Sequence, residues 1–464
     1  MKVPPLSLYV HLPWCVQKCP YCDFNSHSAK GHAPTDRYVD ALLADLDHEA
    51  LRAGGREIET VFLGGGTPSL FAPPEICRLI EGIDARLRLA PGAEITMEAN
   101  PGTVECGSPA GYRAAGINRV SIGAQSFDDN LLQRLGRIHS SEDIRSSVDG
   151  FVAAGFDTLN LDLMHGLPGQ TAAMAVADVR AATELGAPHI SWYQLTLEPN
   201  TVFHSRPPVG LPDEEAAWSI QEAGAMALAE AGFEQYEVSA WARPGHRCRH
   251  NLNYWQFGDY LAVGAGAHGK ITTDGQVERY RKPANPAQYM QTMESGEEPL
   301  PADVPTDREL VFEFMLNALR LKGGFSLDGF VARTGLAVES IAGRLATLEA
   351  QGLIRRLDGG VRIVPSERGF ELLHALQRRA TRRLTLREPP LQIIDCGRLV
   401  PRCGRLLADG RRGVLHCCFR LVLHRPLRGG LGRRHPSRPG RPPGPQRWRR
   451  PRRGRATGST AART

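Results

Sequence analysis

Cys15, Cys19 and Cys22 form a C-x3-C-x2-C run directly behind an apolar segment, Leu6–Leu12. Thiolates are soft donors suited to iron–sulfur clusters. A cubane cluster has four irons, so three local thiolates leave one iron with an open position. An open position on a metal is where a small molecule coordinates and reacts. Zinc is the rival, but no C-x2-C or H-x3-H partner lies nearby to close a structural zinc site.

Other polar residues fall at the ends of apolar runs. Gly64-Gly65-Gly66-Thr67-Pro68 follows Thr60–Leu63. Glycines let a backbone approach a ligand closely and present its N–H and C=O groups. Glu98 lies in Met97-Glu98-Ala99-Asn100-Pro101, and Gln125 in Gly123-Ala124-Gln125-Ser126-Phe127. Arg137 lies in Leu135-Gly136-Arg137-Ile138-His139, and Asp162 lies in the run Leu161–Gln170. Polar groups in such places must be paired, by neighbouring protein groups or by a ligand. Farther along, His250-Asn251-Leu252-Asn253-Tyr254-Trp255 is an H-N-x-x-Y-W run, with glycine-rich Gly264–Gly269 behind it. Imidazole is an axial haem ligand and flat aromatics suit a porphyrin face. A satisfied loop histidine with two core aromatics is the plainer reading of the same residues. Cys248, two residues before His250, reads either as a further group near a haem or, more plainly, as a buried thiol.

The run from Tyr9 to Ser26, Y-V-H-L-P-W-C-V-Q-K-C-P-Y-C-D-F-N-S, resembles the radical S-adenosylmethionine (SAM) superfamily. Within it, the run is similar to the oxygen-independent coproporphyrinogen III oxidase-like family, on its haem-chaperone side. The resemblance covers residues 5 to 375. It implies that Cys15, Cys19 and Cys22 hold a 4Fe–4S cluster whose fourth iron is chelated by SAM, and that an electron from the cluster cleaves SAM to a radical. It implies that Gly65, Gly66 and Thr67 meet the amino group of SAM. Glu98, Gln125, Arg137 and Asp162 are then expected around its carboxylate, ribose and sulfonium. Tyr9 and Tyr21 match aromatic positions near the cluster and adenine, and Thr196 is a further SAM contact. By the same resemblance the H-N-x-x-Y-W run marks the haem chaperones, with His250 on the haem. The implied partners are haem, a haem-accepting protein and a cellular electron donor for the cluster.

The alternative within the family is the oxidase itself, which decarboxylates two propionates of coproporphyrinogen III. Two departures count against it. Phe24 stands where that enzyme carries an additional cysteine, and the oxidase has a longer stretch before the cysteine run. A third reading, an RNA-modifying radical enzyme, rests only on the basic C-terminal tail.

The elements that must position these residues alternate. Strand-like runs are Leu6–Leu12, Thr60–Gly64, Glu94–Ala99, Arg119–Ala124, Thr158–Met164 and His189–Leu197. Helical patterns cover Asp36–Ala53, Pro74–Leu89, Ser140–Ala154 and Thr171–Leu185, with Asp213–Ala231 and a strand Glu234–Ala240 after them. This order predicts an α/β fold of parallel strands covered by helices, with ligands at strand ends. The resemblance makes it a partial (β/α)6 barrel. Beyond Pro299, helices Glu309–Leu321, Ser326–Thr334 and Val338–Gln351 and a hairpin turning at Gly359-Gly360 predict a small winged-helix-like module. Acidic residues in its third helix point to a protein-facing role. The expected domains are a core at 1–240, a connecting region at 241–305, the module at 306–377 and a tail at 378–464.

The net charge of +6 hides a division. Residues 378–464 hold 24 arginines against 3 acids, a charge of +21, which leaves −15 for residues 1–377. An acidic body is not expected to bind nucleic acid. The tail, broken by Pro and Gly every few residues, has no structural period and is expected to be disordered. It reads either as a basic arm for nucleic acid or anionic lipid, or as frame-shifted translation; the body closes cleanly near Leu376, which favours the second. No secretory leader or membrane span is expected, and cysteines at metal-ligand spacing suit the reducing cytoplasm.

Overall fold

The computed structural model describes residues 1–29, 31, 33–102, 107–296 and 302–373. The tail expected from Arg378 onward lies outside the described residues.

Six apolar runs become neighbouring parallel strands: β1 (Leu6–Leu12), β2 (Ile58–Gly65), β3 (Leu89–Ala99), β4 (Arg119–Gln125), β5 (Leu159–His165) and β6 (His189–Gln194). Helices join them, chiefly Thr35–Ala53, Pro73–Leu87, Ser141–Ala153 and Ala172–Glu184. Parallel neighbours need such crossovers, because a tight turn cannot return the chain to the same end of the sheet. Side chains alternate along each strand. On β1, Leu6, Leu8, Val10 and Leu12 join Tyr38 and Leu42 of the first long helix in the main core, while Ser7, Tyr9 and His11 take the other face. The helix starts are chemically specified: the Ser140 hydroxyl accepts from the Asp143 N–H while the Asp143 carboxylate accepts from the Ser140 N–H, and the Thr171 and Asp213 side chains cap two more helices. Each cap is worth about 1 kcal/mol.

The sheet continues at both edges to a total of 11 strands. Ala240–Ala242 runs beside β6 and antiparallel to it, and Glu234–Glu237 runs antiparallel to Ala240–Ala242 at the edge. The single strand expected over Glu234–Ala240 is therefore two, because the chain turns at Val238-Ser239, where the Ser239 N–H donates to Glu237 Oε1 at 3.1 Å. Beside β1 runs Asp259–Val263, parallel to it, followed by antiparallel His268–Thr273 and Gln276–Arg281. Glu234–Glu237 and Gln276–Arg281 form the two edges, so the barrel is partial.

Helices Asp307–Ala318, Leu327–Thr334 and Glu339–Ala350 are followed by antiparallel strands Ile354–Leu357 and Arg362–Pro365. They enclose a second core in which Phe314 meets Phe257, Phe325 and Phe330 edge-on. This module packs where β1 to β6 begin, at the end remote from the cysteines: Arg320 pairs with Glu237 at 2.6 Å and its guanidinium lies 4.3 Å from the Trp255 ring centre. No helix among the described residues is long and apolar enough to cross a membrane.

Candidate functional site

The three cysteines lie in the loop that leaves the C-terminal end of β1, and each is half-buried. Burial pushes the Cys15 thiol up to about 11, and its two fellow thiols push the same way, against hydrogen bonds from Thr67 and Ser26. Burial also raises Cys22, with the Ser26 hydroxyl 3.6 Å from its sulfur. Metal binding displaces the protons of thiols held protonated in this way by burial and by one another. Among the described residues no three His, Cys, Asp or Glu side chains converge tightly enough to hold one metal ion. A cubane asks for less, since each thiolate meets a different iron. The donor set fits that cluster.

Arg137 ties the mouth together. It donates to Cys19 Sγ at 3.5 Å, to Asn100 Oδ1 at 2.6 Å and to the Gly123 carbonyl at 2.9 Å. Asn100 donates in turn to Thr67 Oγ1 at 2.8 Å. Tyr21 shares a hydrogen bond with Cys19 and packs on Phe203, 6.2 Å between ring centres. Cys19, Thr67, Asn100, Arg137 and His139 line one open pocket. His139 Nε2–H donates to the Ala124 carbonyl at 3.2 Å, since a carbonyl oxygen only accepts. Burial and then Arg137 push its pKa down to about 4.

The glycine run ends β2. A Cβ at Gly66 would lie 2.5 Å from the Trp14 carbonyl oxygen, and one at Gly65 2.3 Å from the His11 ring. Gly65 also has φ +113°, which favours glycine. The glycines thus let β2 close against the segment that carries the cysteines. Glu98 Oε2 accepts from the Gly65 N–H at 2.9 Å. Gln125 has φ +71°, rare for a residue with a side chain, and accepts from the Tyr193 hydroxyl at 2.8 Å. Asp162 lies deeper, accepting from Ser121 and Asn160, each at 2.9 Å. Burial raises its pKa. Thr196 follows β6, half-buried. Tyr9 points into the barrel, its hydroxyl 3.0 Å from His11 Nδ1.

His250 sits elsewhere. Helix Arg249–Trp255 closes the opposite end, where the strands begin. Glu94 at the start of the β3 core accepts from the backbone N–H groups of Arg249 and His250, at 3.2 and 3.0 Å. A carboxylate at a helix N-terminus is favourable. Asn253 donates to Ser7 Oγ and to the Asp259 carbonyl, both at 2.8 Å. His250 Nδ1 is 2.8 Å from Thr60 Oγ1, and its ring stacks on Phe62 and meets Tyr254. The Thr60 hydroxyl donates to Ser7, so it accepts from Nδ1–H, which leaves Nε2 bare. Nε2 is buried and has no hydrogen-bond partner among the described residues. Burial lowers the His250 pKa to about 3. Cys248 is 3% exposed, and burial pushes it up to about 12.

The structure thus brings together the cysteines, Tyr21, Thr67, Arg137 and the Gly65–Glu98 pair, and puts His250 at the other end. The reading from sequence missed Asn100, Ser26, His139 and Tyr193 as parts of the mouth. Asn100, Ser26 and His139 sit inside the motifs already singled out; Tyr193 carries no local signal.

Residues 9–182 match the radical SAM superfamily, and residues 306–371 the HemN C-terminal domain. The heme chaperone HemW of Escherichia coli strain K12 is 52% identical over 357 residues, 76% of this chain and 93% of that protein. HemW of Bacillus subtilis strain 168 is 32% identical over 362 residues, 76% of this chain and 94% of that protein. Coproporphyrinogen III oxidase (HemN) of Escherichia coli shares the fold, with a TM-score of 0.69, 23% identity and coverage of 82% of this chain and 90% of that one. With that fold, and with such identity along nearly the whole length of its relatives, the chain belongs to the HemW family on a radical SAM core.

Proposed function

We propose that this protein is a haem chaperone: it binds haem and passes it to an acceptor protein, on a core that holds a 4Fe–4S cluster and SAM. The observation that carries the reading is the 52% identity to a heme chaperone along 93% of that protein. Phe24, where the oxidase carries a further cysteine, is a second, independent support.

Cys15, Cys19 and Cys22 would hold the cluster, with Arg137, Thr67 and Ser26 donating toward the sulfurs and so favouring their thiolate form. When bound and reduced, such a cluster supplies an electron to SAM, which calls for a cellular electron donor. Glu98 and Asp162 offer carboxylates to the cationic ligand. The Gly65-Gly66-Thr67 backbone, Gln125, Tyr9, Tyr21 and Thr196 complete its surround. His250 enters as the axial haem ligand. What supports it is a neutral ring whose tautomer is fixed by Thr60 and whose bare Nε2 has no hydrogen-bond partner among the described residues. That atom is closed to solvent, so ligation requires helix Arg249–Trp255 to move from the barrel end. The free thiols suit a cytoplasmic setting.

The test is anaerobic purification and cluster reconstitution, followed by haem titration and a separate assay of coproporphyrinogen III conversion with SAM and reductant. Haem binding without conversion is expected. Robust conversion would restore the oxidase reading.

A further inference from the structure

A hydrogen-bonded chain runs through the barrel from the Asp162 carboxylate to the start of helix Arg249–Trp255. Asn160 and Asp162, two apart on β5, share the inner face. Asn160 Nδ2 donates to Asp162 Oδ1 at 2.9 Å and to Ser121 Oγ at 2.7 Å, and Ser121 donates to Asp162 Oδ2 at 2.9 Å. His189, the β6 residue opposite Asn160, lies with Nδ1 2.5 Å from Asn160 Oδ1. Its Nε2 is 2.8 Å from the Tyr236 hydroxyl, whose oxygen accepts from the Cys248 N–H at 3.3 Å.

With Asp162 ionised, every link has one direction, and the Ser191 hydroxyl also donates to Asn160 Oδ1, at 3.1 Å. An ionised carboxylate only accepts, so Asn160 must turn its NH2 to Asp162 and its oxygen to His189. His189 therefore carries its proton on Nδ1, and its bare Nε2 accepts from Tyr236. Burial, aided by Arg119 and His246, holds His189 neutral, as this pattern requires. Asn160, His189, Tyr236 and Cys248 are 4%, 1%, 3% and 3% exposed, so water does not compete for the links among them, whereas Asp162 is half-buried.

We propose that His189 and Tyr236 are positioning residues for the SAM site: acting through Asn160, they hold the Asp162 carboxylate from the far end of the barrel. The SAM grip is thereby joined to the seating of the helix that bears His250. The proposal rests on the reading that Asp162 meets SAM.

The experiment measures SAM affinity by calorimetry on the full, cluster-reconstituted chain, with iron content and far-ultraviolet dichroism as controls. Asp162→Ala tests the underlying reading; unchanged affinity there overturns that reading and this proposal with it. Given loss in Asp162→Ala, His189→Leu should weaken SAM by about tenfold, the scale of one lost hydrogen bond in a buried network. His189→Asn places an amide N–H where the ring Nδ1 was, and should recover affinity to within about threefold of wild type. Tyr236→Phe leaves Nε2 without its donor and frees the ring to change tautomer, and should cost about three- to tenfold. Equal loss in both histidine variants would make His189 mere core filling and overturn the proposal. Wild-type affinity in Tyr236→Phe with a full cluster would overturn it as well, and that variant decides the matter if His189→Leu fails to fold.

Discussion

The two ends of the barrel are built from the same six strands and solve opposite problems. Where the strands begin, many polar groups are matched across the barrel, His250 Nε2 being an exception: Glu94 caps helix Arg249–Trp255, Asn253 bridges Ser7 and Asp259, and His189 spends both ring nitrogens. Where the strands finish, the half-buried thiols of Cys15 and Cys22 are held above their usual pKa by burial. A closed end gains rigidity from paired groups, whereas desolvated thiols at an open end are groups whose protons a bound metal would displace. The contrast sorts substitutions by which end they disturb.

The largest effect should come from the open end. Cys15→Ala, Cys19→Ala or Cys22→Ala removes one of three protein ligands, and each should abolish the four-iron cluster while the closed end stays folded. Iron and sulfide analysis with the visible spectrum reads the first, and far-ultraviolet dichroism the second. A full four-iron cluster in any single variant would sink the assignment.

At the closed end, His250→Ala should spare the cluster, shift the Soret band and weaken haem. The loss should be at least about 10- to 100-fold, the cost already typical of removing an outer partner of a metal ligand. Unchanged haem spectra would move the axial ligand to another residue and leave His250 as a structural plug held by Thr60.

Smaller effects should separate residues within the open end. Glu98→Ala and Asp162→Ala should each weaken SAM by about 1–3 kcal/mol through lost hydrogen bonds. Gly66→Val should do more than block a ligand: its Cβ meets the Trp14 and Leu12 carbonyl oxygens, at 2.5 and 2.8 Å. It should therefore displace the cysteine segment and lower iron content together with SAM affinity. A variant that loses SAM and keeps full iron would return Gly66 to a purely ligand-facing role.

Much of this was legible in the sequence, for a physical reason. The strands β1 to β6 are apolar runs, and their helices carry caps and an apolar stripe, both local signals. The cysteine spacing and the glycine run are local too. The strands Asp259–Val263, His268–Thr273 and Gln276–Arg281 were not read, because charged residues interrupt them. Lys270 is 0% exposed and pairs with Asp259 at 2.8 Å, a match that only the folded sheet creates. The inner chain from Asp162 to Cys248 was likewise hidden, since its members come from five separate segments. Arg137 was legible in its own motif, but its partners Cys19, Asn100 and Gly123, far apart in sequence, were not.

The last predicted effect is on stability rather than on the cluster or its ligands, and lies beside the open end, in the loop after β4. Gln125 keeps its positive φ because the next residues are pinned: Asp178 accepts from the Ser126 hydroxyl at 2.9 Å and from the Phe127 N–H at 2.6 Å. Burial raises the Asp178 pKa from 3.8 to about 6. The folded state therefore holds this proton more tightly than the unfolded chain. Its contribution to stability is complete below pH 3.8, falls as pH rises toward 6, and is absent above that. Asp178→Asn imitates the neutral form at every pH. Its thermal stability should gain on the wild type between pH 4 and 7, by up to about 3 kcal/mol for a shift of two pKa units. If the difference between the two proteins stays flat across that range, Asp178 is ionised in the fold, and the hydrogen bonds from Ser126 and Phe127 outweigh its burial.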